Sequence, residues 1–66
     1  MNGELLYLVD TGNGLYVQNI YYVGDHPSSV LITLDRSKAF ALSLEFVEIL
    51  ARVVSGIGLD AKVVLL

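Results

Sequence analysis

His26 is the one histidine of the chain, and Asp25, Ser28 and Ser29 beside it supply the residue types of a hydrolytic triad. A triad works when nucleophile, base and orienting carboxylate converge from separate positions with fixed geometry. Neighbours within one turn do not offer that. Gly24, Asp25, Pro27 and Ser28 are common turn formers, so segment 24–29 is read as a loop and no catalytic residue is assigned. Asp10, Asp25 and Asp35 fall near strand ends but lack the alternating-acid spacing of a calcium loop. The chain has no cysteine, which excludes disulfides and thiolate metal sites. No metal and no cofactor is expected. Thr11, Gly12, Asn13 and Gly14 are glycine-rich, but no helix follows to present N-terminal amides to a phosphate. They read as a hairpin turn.

The tyrosines are the second candidate. Tyr7, Tyr16, Tyr21 and Tyr22 fall in adjacent expected strands and could form a stacking platform for a base, with Arg36 and Lys38 near Thr33 and Ser37 to hold a phosphate. Stacking on aromatic rings is worth about 1–3 kcal/mol per base when a basic groove accompanies it. Such a groove needs more cations than this chain carries, since Arg36, Lys38, Arg52 and Lys62 are all it has. A small-nucleotide site at Tyr16, Tyr21, Tyr22, Arg36 and Lys38 is therefore kept as an alternative. The same tyrosines serve equally as strand and interface residues.

The elements that must position these residues follow from the apolar pattern. A short run from Glu4 to Asp10 reads as a strand, and the turn residues 10–14 lead into a second from Leu15 to Val23. Gln18 and Asn19 break its alternation and suggest a bulge or an edge position. After the loop, Val30 to Leu34 reads as a third strand. Asp35 either caps a single turn through Arg36, Ser37 and Lys38 or opens an irregular crossover. Ser43 is the expected N-cap of a helix from Leu44 to about Ser55, with Glu45 in its first turn, Gly56 at C′ and Ile57 at C″. Segment 59–66 reads as a last strand. The fold class is α+β in β-β-β-α-β order, a small, mostly antiparallel sheet with one helix on one face.

That helix is apolar beyond what a surface helix needs. Glu45, Glu48, Arg52 and Ser55 form one narrow polar stripe, while Leu44, Phe46, Val47, Ile49, Leu50 and Val53 extend the apolar side well past the roughly 100° required to cover a core. These six are the expected interface residues. Leu5, Tyr7 and Val9 alternate with Leu6 and Leu8, so the first strand is apolar on both faces. With 66 residues the chain is one domain, and 55% of its residues are apolar. Chains this short bury only about 60% of their unfolded surface. A membrane span would need about 20 consecutive apolar residues, and residues 1–4 supply no basic segment of a signal peptide. The excess is therefore expected to meet a partner, a second copy of the chain being the simplest. A net charge of −3 argues against nucleic acid and anionic membranes. The expected location is the cytoplasm.

From Gly14 onward the order of features resembles small accessory proteins encoded by bacteriophages. The shared pieces are Gly14, Tyr16 and Val17 in a short strand; Thr33, Asp35 and Ala39 in the following step; Ser43 and Glu45 opening a helix; Gly56 and Gly58 ending it; and Val63 and Val64 in a closing strand. They span about three-quarters of the chain. The helix here is more apolar than the lysine- and glutamate-rich one usual in that class, and loop 24–29 has no counterpart. The resemblance implies an accessory or inhibitory viral protein that binds and blocks a host or defence protein, or sequesters a signalling nucleotide. It transfers no functional residue.

Overall fold

The computed structural model describes residues 5–66. Strand β1 is Tyr7–Asp10, β2 Tyr16–Val23, β3 His26–Thr33 and β4 Lys62–Leu65, with a 3-10 turn at Arg36–Lys38 and helix α1 at Leu44–Gly56 between β3 and β4. All pairings are antiparallel and the sheet order is β3-β2-β1-β4. The α+β class and the β-β-β-α-β order are those read from the sequence. Glu4, the expected start of the first strand, lies outside the described residues.

The first hairpin closes on a turn in which Gly12, Asn13 and Gly14 all have positive φ, at 110°, 57° and 74°. Asn is the non-glycine residue that tolerates this region best, and the Asp10 carboxylate accepts the Gly12 amide at 2.6 Å to hold the entry. Below the turn β1 and β2 share one register pair, Asp10 with Tyr16, and then separate. Crossover residues enter the wedge: the Phe40 amide donates to the Val17 carbonyl at 2.9 Å, and Leu42 bridges to Tyr7. The chain thus passes between β1 and β2 before α1 begins.

The second hairpin differs from the sequence expectation. Segment 24–29 is not a loop; Val23 pairs with His26, leaving a two-residue turn with Gly24 at φ 62°. Glycine in the first central position is what such a turn requires. Pro27 is tolerated inside β3 because β3 is an edge strand, where a missing donor breaks no ladder. Each strand carries one bulge: Gln18 on β2, as the adjacent polar pair suggested, and Ser28 on β3. Bulges raise the local twist.

Val9, Val17, Val47, Leu50 and Val54 form the buried core between sheet and helix, with Ile20, Val30 and Val63 packed against it. Leu8 is also fully buried but lies outside this cluster. Alternation from Val9 puts it on the opposite face of the sheet, the face over which the crossover runs. Ser43 occupies the N-cap position, and its carbonyl accepts the Val47 amide at 2.9 Å, while its hydroxyl makes no cap bond. The other end corrects the expected cap. Gly56 is still helical, Ile57 is the C-cap and Gly58, at φ 103°, is C′. Its amide bonds the Ser55 carbonyl at 3.0 Å and the Leu59 amide reaches the Val54 carbonyl at 3.4 Å, the paired bonds of a Schellman ending.

Candidate functional site

Asp35 caps the 3-10 turn, so of the two readings left open for this stretch the capped turn is the one adopted. Its Oδ1 accepts the Ser37 amide at 2.9 Å and the Ser37 hydroxyl at 2.7 Å. These two bonds, with the Lys38 charge nearby, hold the carboxyl below the usual carboxylate range. The turn aims Arg36 across the sheet face opposite the helix. Its guanidinium stands 5.3 Å from the Tyr16 ring centroid, Nη1 donates to the Tyr16 hydroxyl at 3.2 Å, and Nη2 donates to the Leu65 carbonyl at 2.6 Å.

This arrangement brings together part of the expected ligand set and divides the rest. Tyr16 and Arg36 touch, and Lys38 follows on the same turn. Register and bulge positions put Tyr21 on the Tyr16 face and Tyr22 on the helix face. Tyr7 packs against the core. A phosphate approaching Arg36 would have to compete with two hydrogen bonds already made.

His26 and Asp25 are exposed at the tip of the second hairpin, and the Ser28 hydroxyl points back to the Tyr21 carbonyl at 3.5 Å. They do not converge. Among the described residues no group of three or more His, Cys, Asp or Glu is placed to hold a metal ion, and Asp10, Asp25 and Asp35 sit in separate turns. A shallow depression of about 430 Å³ lies between the first turn and the loop before β4, lined by Asp10, Gly12, Asn13, Asp60, Ala61 and Lys62. Its two carboxylates oppose an anion, and one of them is occupied by the Gly12 amide.

The six helix residues divide by face. Val47 and Leu50 point to the sheet and are buried in the chain's own core, so they are not surface residues. Leu44, Phe46 and Ile49 are about half exposed, and Val53 is half-buried. Phe46, Ile49 and Val53 therefore form the uncovered flank.

The larger apolar surface is one that sequence reasoning did not single out. The second hairpin exposes Tyr21, Tyr22, Val23, Leu31 and Ile32, and Leu34 just beyond it is 74% exposed. Between Asp10 and Asp35 the only Asp, Glu, Lys or Arg is Asp25, at the turn. That charge-poor stretch was readable as a signal, but strand propensity does not say which strands the fold leaves uncovered. No helix among the described residues is long and apolar enough to cross a membrane. Compared with family models, curated proteins and solved structures, the chain matches none.

Proposed function

We propose that this chain is a non-enzymatic interaction protein of the phage accessory or inhibitory kind, acting in the cytoplasm as a homodimer by stoichiometric binding to a host or defence protein. The observation that carries the reading is the second hairpin. It is a two-stranded ribbon with exposed aromatic and branched side chains and almost no charge. Contiguous exposed apolar side chains on a small protein mark partner contacts. The engagement of Arg36 with Tyr16 and Leu65 weighs against the nucleotide alternative.

The test is site-specific photo-crosslinking in the source cells. A photoreactive residue at Tyr21 or Tyr22 is expected to give discrete adducts of this chain with itself and with one further protein. The same residue at Glu48 or Ser55, on the polar stripe, is expected to give none. Adducts absent at the hairpin, or equal at both places, would remove the reading.

A further inference from the structure

The two outer edges of the sheet are not alike. β4 is four residues long and begins with Lys62. The Leu66 amide donates to the Leu6 carbonyl at 2.9 Å, so by alternation the backbone groups of Leu65 face away from β1, toward the free edge. The Leu65 carbonyl on that edge is taken by Arg36 at 2.6 Å. Charged side chains and covering groups are how proteins close an edge to pairing. β4 has both.

β3 has neither. The run from Ser28 to Leu34 carries no charge and no proline, and it is bracketed by Pro27 on one side and Asp35 on the other. Alternation fixes which of its groups are free. The Leu15 and Val17 carbonyls face the β1 side of β2, so Tyr16 faces β3 and its partner Thr33 faces back. The amides and carbonyls of Val30 and Ile32 therefore point outward, with none of the described strands beside them. Past the Ser28 bulge, the uncharged edge from Ser29 to Leu34 is a ready template for another strand.

We propose that this edge is where two copies of the chain join, β3 against β3 in antiparallel order, about a two-fold axis that passes at Leu31. This deepens the interaction-protein reading and rests on it. The brackets set the register, because Leu31 stands midway between Pro27 and Asp35. Val30 then faces Ile32 of the second copy twice on the helix side, and Leu31 faces itself on the other. Branched cross-strand pairs of this kind favour the ladder.

Two arguments select a second copy as occupant. An uncharged edge meets itself without like-charge repulsion, although each chain is acidic. With one edge open and one closed, edge-to-edge association stops at two, which is the closed isologous symmetry most oligomers adopt.

The absence of native cysteine makes single-cysteine variants clean reporters. In the proposed register Leu31 faces its own copy in a non-hydrogen-bonded pair, with Cα atoms about 4.5 Å apart, within disulfide range. The experiment measures mass by light scattering across a concentration series. It then oxidises Leu31→Cys, Phe46→Cys and Ile49→Cys under mild conditions, with circular dichroism to confirm folding. The expected result is a dimer of the full chain, near-complete crosslinking of Leu31→Cys, and little crosslinking of the two helix variants. Leu31→Lys is expected to raise the dimer dissociation constant at least about tenfold with an unchanged spectrum. A dimer that crosslinks through Phe46→Cys or Ile49→Cys instead overturns the edge assignment while leaving the interaction-protein reading in place. A monomer at all concentrations, or an open-ended polymer, overturns the proposal as well.

Discussion

At Asp35 a single carboxylate fixes the turn from which Arg36 reaches across the sheet. The Ser37 hydroxyl and amide bonds favour its charged form and keep its pKa below the ordinary value, with a smaller contribution from Lys38. A carboxyl whose folded-state pKa is depressed contributes stability that is complete above the unfolded value, about 3.9, and is lost as pH falls through the folded value. The expected outcome is therefore a melting temperature that drops through this acid window in the native chain and less so in Asp35→Asn. The two curves should converge at the acid end. Thermal melts from pH 2 to 7 check it, and parallel curves would show that the carboxylate is not coupled to folding. Tyr16 and Arg36 were legible as neighbours in kind, an aromatic and a cation among the expected ligand residues. The Leu65 carbonyl was not, because no side-chain pattern announces where a backbone acceptor on a distant strand will lie.

Among the elements, α1 shows how two residues of one type take opposite roles two positions apart. Gly58 holds φ 103° at C′, whereas Gly56 is the last helical residue, and a β-carbon at either position would meet nothing within 4 Å. Space is thus not the issue, and backbone conformation alone decides. Gly58→Ala is expected to destabilise by about 1 kcal/mol or more, because alanine enters that φ at a cost. Gly56→Ala is expected to stabilise by about 0.5–1 kcal/mol through helix propensity. Urea melts of both variants check the opposite signs, and equal shifts would contradict the assignment of C′. The sequence placed the helix and its polar stripe well, since a 3.6-residue period over thirteen residues is a strong signal. It misplaced the C-cap because either glycine satisfies the composition rule and only φ separates them. It also read 24–29 as a loop, since Gly, Asp, Pro and Ser in sequence describe a two-residue turn and a proline on an edge strand as well as they describe a longer break. The wedge at Phe40 and Leu42 had no sequence signal, because it exists only where β1 and β2 part company.

For the whole molecule, the decisive quantity is how little of the apolar composition the fold hides. Among the described residues six are buried, while fifteen large apolar side chains remain well exposed, and the longest extent is 38 Å. In the proposed dimer, the difference between the two sheet edges is what keeps such a surface from unlimited association. A strand order that ends in β3 on one side and β4 on the other gives each copy two places to pair, and two open places would build a fibre rather than a dimer. Arg36 closes one of them through the Leu65 carbonyl. Arg36→Ala removes that closure and is expected to convert the closed pair into a growing assembly, β3 to β3 and β4 to β4 in alternation. The loss of exposed hydrogen bonds should itself cost only about 1 kcal/mol, so the fold survives and growth is not a consequence of unfolding. Light scattering that rises with concentration, with a preserved circular dichroism spectrum, is the expected observation. The double variant Arg36→Ala with Leu31→Lys separates the causes: it reopens β4 and shuts β3, so growth should stop at a pair joined through β4. Continued growth of the double variant would mean that association runs through the faces of the sheet or the helix flank, and that the edges do not govern it.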